Sequence, residues 1–215
     1  MTTATLTPPP RPSAPAAPQP PYPRYGGLEY IRRFTIDEYH ELIRIGFLTK
    51  ADPVELLEGY LVLKMSRSPE HDAAIRVLNR RFAKLVPEHY TLSCQFGTTL
   101  NDSQPEPDIG IARGPDEKYR TRHPGPADTL ILVESSVSSL ARDRIDKARI
   151  YAGAGVPEYW TVNIEERQIE VYTNPHGVGD AAAYATRTDY SHGSAVPLVL
   201  DGTPLGTVPV ADVIG

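Results

Sequence analysis

The run Thr129-Leu130-Ile131-Leu132-Val133-Glu134-Ser135-Ser136 decides how this chain is laid out. Its apolar centre, Leu130 to Val133, is unbroken, the pattern of a strand covered on both faces. It then stops on a carboxylate. A shorter run upstream, Pro107-Asp108-Ile109-Gly110-Ile111, has the reverse order, with the acid at its entrance. Pro107 biases the backbone before it toward an extended form. If the two runs are neighbouring strands, Asp108 and Glu134 share one end of a sheet. Two hard oxygen ligands so placed suit a divalent cation, Mg²⁺ or else Mn²⁺. Each acid also has a plainer reading, as the mark of where its strand leaves the core.

Downstream, Ala141, Ile145, Ala148 and Ala152 recur at helical spacing. They predict a helix over 141–153, capped by Gly153 or Gly155. Lys147 stands beside that apolar face. A lysine there can orient a metal-bound water or stabilise charge on an attacked phosphate. Its plainer role is a surface ion pair with Asp143, four residues earlier. Ser136, two residues past Glu134, is the other candidate for positioning water.

Toward the N-terminus, Thr35 and Glu38 form a capping box for a helix over 36–46, with Ile36, Tyr39, Ile43 and Phe47 at helical spacing. Val54 to Met65 reads as two strands around a tight Glu58-Gly59 turn. Glu58 is a candidate third metal carboxylate, although turns hold glutamates readily. Ser68 as N-cap and Pro69 in the first turn open the next helix. Its buried face is Ala74, Val77, Leu78, Phe82 and Leu85. His71, in the first turn, is either a catalytic or phosphate-contacting group or an exposed, inert one. Arg76, Arg80 and Lys84 stand on another face, either a nucleic-acid path or a solvated surface.

Residues 90–100 alternate Leu92, Cys94 and Phe96 as a half-buried strand. Residues 158–163 and 168–173 read as a hairpin, with Tyr159 and Trp160 in the core. A Gly-rich loop follows over 174–182, and 183–215 add one or two edge strands. Strands and a few helices in this order give a mixed α+β (α/β) fold, a mixed sheet flanked by helices.

Residues 1–27 hold nine of the 22 prolines and predict a disordered, partly polyproline tail. The remainder, 28–215, is long enough for a single domain with a substantial core. Net charge is −5, and outside the tail 20 basic residues face 27 acidic ones. That balance argues against a general nucleic-acid coat protein, but not against an acidic site neutralised by its cation. No apolar run is long enough to span a membrane, and the start does not read as a secretory signal. The single cysteine, Cys94, excludes an intrachain disulfide and a cysteine-rich zinc site. A reducing cytoplasm is the simplest compartment. Nucleophile-elbow, phosphate-loop, zincin and dinucleotide motifs are absent.

Glu55-Leu56-Leu57-Glu58-Gly59, Pro107-Asp108, Val133-Glu134-Ser135-Ser136 and the segment from Lys147 through Tyr151-Ala152 to Val156-Pro157-Glu158-Tyr159-Trp160 carry a resemblance. Over roughly residues 35–175 the chain resembles the Uma-two family of restriction-endonuclease-like proteins, in the PD-(D/E)XK nuclease superfamily. The resemblance implies a restriction-endonuclease-like fold and Mg²⁺-dependent hydrolysis of DNA phosphodiesters. It implies Asp108 and Glu134 as the metal-binding acids. The superfamily expects a lysine where this chain has Ser136, and similar proteins recruit one from the next helix, here Lys147. Glu58 and His71 also match positions of the family pattern. Cutting both strands of a duplex would favour a homodimer. The alternative is a catalytically weak or inactive nuclease-fold protein that binds nucleic acid or protein. The acidic balance and the displaced lysine favour it.

Overall fold

The computed structural model describes residues 31–137 and 140–215. The tail expected over 1–27 lies outside them. The chain divides into Met1–Arg32 and Arg33–Gly215, and the second unit carries every element that follows.

These are α1 (Ile36–Arg44), β1 (Val54–Leu57), β2 (Tyr60–Leu63), α2 (Pro69–Leu85), β3 (Tyr90–Cys94), β4 (Ile109–Arg113), β5 (Thr129–Ser136), α3 (Leu140–Arg142) and α4 (Ala148–Gly153). Then come β6 (Glu158–Asn163), β7 (Gln168–His176), β8 (Ala183–Ser191), β9 (Ala195–Leu200), β10 (Thr203–Pro209) and α5 (Val210–Ile214). One sheet runs in the order β3-β4-β5-β6-β7-β8, and β1-β2 and β9-β10 form two separate hairpins. Every neighbouring pair in the large sheet is antiparallel except β5 and β6. The mixed sheet flanked by helices is therefore the architecture of this chain.

All eight residues of β5 are buried, as its unbroken apolar run required. On one face α2 supplies Ala74, Ile75, Leu78 and Phe82, and the Phe82 ring meets Trp160 edge-on at 5.4 Å. The β9-β10 hairpin closes the same core with Val196, Leu198 and Val208. On the other face Tyr159 stacks with Tyr172 at 5.6 Å and meets Tyr151 of α4 edge-on at 5.1 Å. The capping box is present: Thr35 Oγ1 accepts from the Glu38 amide at 3.2 Å, and Glu38 Oε2 from the Thr35 amide at 3.0 Å.

Three expectations need correction. The strand expected over 90–100 ends at Cys94, because Gln95 turns to φ 60°. Phe96 is consequently exposed rather than half-buried. The C-terminal region holds three strands and a short helix, since its last hairpin leaves the edge and packs on α2. The helix expected over 141–153 is interrupted by a π-helical turn, Asp143–Lys147, in which the Ala148 amide donates to the Asp143 carbonyl. One extra residue in that turn rotates the helical faces. Ile145, expected on the buried face, is exposed, whereas Asp143 and Lys147 are buried. Among the described residues no helix is long and apolar enough to cross a membrane.

Candidate active site

β4 and β5 run antiparallel with Ile109 opposite Val133. The next pair in that register is Asp108 and Glu134. The acid entering one strand and the acid near the exit of the other thus stand level at one end of the sheet. Both are about 5% exposed. The Ser135 amide donates to Asp108 Oδ2 at 2.9 Å, tying the two strand ends together.

The chain leaves β5, crosses over and returns as the parallel β6. Parallel neighbours demand such a crossover, and here it carries α3, the π-turn and α4 over the end of β5. Lys147 Nζ donates to Glu134 Oε1 at 2.7 Å and lies 3.5 Å from Glu55 Oε1. The Tyr151 hydroxyl donates to the same Glu134 oxygen at 2.7 Å. The surface pair expected between Lys147 and Asp143 is not the arrangement found. Asp143 is instead buried, and its Oδ2 accepts from Ser136 Oγ at 2.6 Å.

His71 opens α2 over the same point, with Nε2 2.9 Å from Asp108 Oδ2 and Nδ1 3.2 Å from Asp72 Oδ1. Both partners are carboxylates, which only accept when ionised, so the doubly protonated ring satisfies both. Burial works against that charge, but the bond to Asp108 and its charge outweigh it, and the His71 pKa is raised. Glu134 is pushed up to about 8, first by burial and then by the nearby charges of Asp108, Asp143 and Glu55, against the pull of Lys147. Lys147 moves well above the usual lysine range: burial lowers it, but Glu134, Glu55 and Asp143 hold the ammonium charged.

These groups open onto a cleft of about 100 Å³. Its walls hold Glu55, Glu106, Asp108, Glu134 and Asp143 against Lys64, Arg67, Arg142, Lys147 and His71. Glu55 Oε1, Ser135 Oγ and Arg142 Nε are buried without a hydrogen-bond partner among the described residues, and all three residues line the cleft. Unpaired buried polar atoms are costly and cluster where a ligand completes them. No hydrogen bond among the described residues falls on Asp108 Oδ1 or Glu134 Oε2. Among the described residues no group of three or more histidines, cysteines and acids is gathered to hold a metal. Mg²⁺ does not require one, since it commonly binds through one or two carboxylates and keeps its waters. The oxygens left on Asp108 and Glu134 fit that mode.

The other residues singled out from sequence lie apart. Glu58 sits in the β1-β2 turn at φ 49°, and its two oxygens take a bidentate pair from Arg149 of α4 at 2.6 and 2.5 Å. That bridge fastens the hairpin to the crossover, and Glu58 does not line the cleft. Ser136 does not line it either, its hydroxyl being bonded to Asp143. Arg76 and Arg80 are exposed on α2, away from the cleft. Sequence reasoning missed Glu55, 1% exposed, whose Oε2 accepts from the Glu106 amide at 3.1 Å. A carboxylate inside the apolar run Val54-Glu55-Leu56-Leu57 was the available signal. Tyr151 and Arg142 carried no such signal.

No curated protein matches the chain. Among solved structures, a crystal structure titled a “putative nuclease belonging to DUF820” from Anabaena variabilis superposes with a TM-score of 0.61. The match covers 84% of this chain and 97% of that one at 14% identity, a likeness of fold. The profile of Uma2, described as “Putative restriction endonuclease”, matches residues 36–204, and the chain belongs to that family.

Proposed function

We propose that this protein is a Mg²⁺-dependent endonuclease that hydrolyses DNA phosphodiesters. The observation that carries the reading is the level pair Asp108 and Glu134 with Lys147 bonded to Glu134 at 2.7 Å. Asp108 Oδ1 and Glu134 Oε2 would hold Mg²⁺, or Mn²⁺ in its stead. A bound divalent ion supplies Lewis acidity and lowers the pKa of a ligated water. His71 and the Ser135 amide fix the orientation of Asp108 by occupying its other oxygen. Lys147, held charged among carboxylates, is a donor rather than a base. It can orient the attacking water and stabilise negative charge at phosphorus. In the reaction the water oxygen bonds to phosphorus and gives up a proton to bulk water, the bond to one ester oxygen breaks, and the departing oxygen takes up a proton from bulk water.

Purified protein is expected to nick supercoiled DNA with Mg²⁺ or Mn²⁺, and Asp108→Ala to lower the rate by at least ~10²-fold, the scale for loss of a group that stabilises developing charge. No cleavage of supercoiled, linear, branched or single-stranded DNA by the wild type would remove the nuclease reading. The alternative, a binding module of nuclease fold, draws support from the acid-rich cleft and from the full engagement of Lys147. It would be favoured by nucleic-acid binding without metal-dependent cleavage.

The Glu134 carboxyl also gives a pH dependence. Its pKa rises on folding from 4.5 to about 8, so between those values the folded chain binds more protons than the unfolded one. Stability contributed by this group is present below pH 4.5 and lost as pH rises through 8. Glu134→Gln, which keeps the neutral shape, should therefore be more stable than wild type at pH 8 and nearly equal to it at pH 5. Thermal melts at the two pH values check this. A cation at Glu134 displaces the same proton, so Mn²⁺ affinity of the wild type should climb with pH up to about 8 and that of Glu134→Gln should not.

A further inference from the structure

Five carboxylates line the cleft, and the side chains able to meet an anionic substrate there, beside any bound cation, are those whose cationic donors remain uncommitted. Most of the cleft's cations are committed. Lys147 is bonded to Glu134 and lies beside Glu55. Lys64 Nζ is bonded to Glu106 at 2.5 Å. His71 stands between Asp72 and Asp108. Two arginines differ. Arg67, exposed on the segment between β2 and α2, forms no ion pair or hydrogen bond among the described residues. It lines the cleft next to Ser68, whose hydroxyl accepts from the amide of His71. Arg142, on α3, lines the same cleft, spends Nη1 on the Leu63 carbonyl at 3.0 Å and leaves Nε with no partner among the described residues.

From the uncommitted donors of the cleft we infer that Arg67 and Arg142 form its phosphate-binding pair, gripping the nucleic-acid backbone beside the Asp108–Glu134 pair. The inference rests on the nuclease reading and assigns its substrate contacts. A guanidinium suits this task because its planar fork matches two phosphate oxygens, and Arg142 keeps donors that no hydrogen bond among the described residues uses. The Leu63 carbonyl holds one arm of the Arg142 fork in place, so the remaining donors are oriented before substrate binds. The inference also moves the substrate contacts away from Arg76 and Arg80, whose positions on α2 do not reach the cleft lining.

The test is binding of a fluorescein-labelled duplex and its single strand by the full chain, measured by anisotropy in Ca²⁺ over a salt series. Arg67→Ala and Arg142→Ala should each weaken binding about tenfold, the scale of one hydrogen bond to a charged group. Each should make the salt dependence shallower by about one phosphate contact. Arg142→Lys should recover the salt slope but only part of the affinity, having charge without a fork. Mn²⁺ affinity, measured by calorimetry, should be unchanged in all three. Arg76→Ala and Arg80→Ala should bind as wild type. Wild-type affinity and slope in both Arg67→Ala and Arg142→Ala overturn the inference and leave the nuclease reading intact. Lost binding accompanied by lost Mn²⁺ affinity or a lowered melting temperature also overturns it, because the arginines are then structural. A wild type that neither binds nor cuts nucleic acid overturns both readings together.

Discussion

Lys147→Ala should abolish cleavage and destabilise the fold together. Lys147 is the buried cation nearest three carboxylates: Glu134 at 2.7 Å, Glu55 at 3.5 Å and Asp143, whose charge also raises its pKa. With Glu134 largely protonated below about pH 8, the ammonium answers chiefly to Glu55 and Asp143, and removing a buried cation from its carboxylates typically costs ~3–5 kcal/mol. The loss should shrink at low pH, where the orphaned carboxylates take up protons, and part of it should return with saturating Mn²⁺. Lys147→Met keeps the length but not the charge, so it should show the same electrostatic loss with less cavity formation. Denaturant unfolding at pH 5 and pH 8, with and without Mn²⁺, measures all of these. Equal stability of Lys147→Ala and wild type at both pH values would mean that the cluster is neutralised some other way. Glu134→Gln supplies the contrast: it should lose cleavage while gaining stability at pH 8. Activity and stability therefore separate at Glu134 and move together at Lys147.

The second large effect lies on the opposite edge of the same crossover. Glu170 on β7 is fully buried and accepts from Arg144 Nε at 3.0 Å, Asn163 Nδ2 at 3.0 Å and the Tyr172 hydroxyl at 2.7 Å. Burial alone would raise its pKa, but Arg144 and these hydrogen bonds prevail and draw it down to about 2. Arg144 belongs to the π-turn, so this network anchors the turn that delivers Lys147. Glu170→Ala leaves the Asn163, Gln168 and Tyr172 donors and the Arg144 guanidinium without their acceptor, and should cost ~3–5 kcal/mol. The wild-type contribution has the opposite sign to that of Glu134. The folded pKa lies below the unfolded value of 4.5, so the stability is present above pH 4.5 and is lost as pH falls toward 2. An acid titration of unfolding should thus be shallower over that window in Glu170→Gln than in wild type.

Asp108 and Glu134 were legible as a pair because acid and apolar run follow one another in opposite orders, and antiparallel pairing makes opposite orders coincide in space. Lys147 was legible as a candidate but its surroundings were not. Regular helical spacing set it four residues from Asp143 on one face, and the π-turn breaks that spacing. Arg142 escaped because burial of a charge is decided by what packs over it, and Glu55 escaped although a carboxylate inside the apolar run of β1 was there to be read. Glu58 was singled out instead, from its place in the turn. The side-chain alternation of a strand ends at the turn, and there Arg149 could reach Glu58 from another element. The last thirty-odd residues alternate too weakly to tell an edge strand from a detached hairpin.

The π-turn carries one residue more than a regular helical turn would. In a regular helix the Asp143 carbonyl would accept from the Lys147 amide; the wider turn passes that bond on to Ala148. Residues after the turn therefore lag an unbroken helical count by about 100°. Tyr151, whose hydroxyl reaches Glu134, owes its place to that lag. The same number of residues wound as ordinary helix would turn a different set of side chains toward the acids.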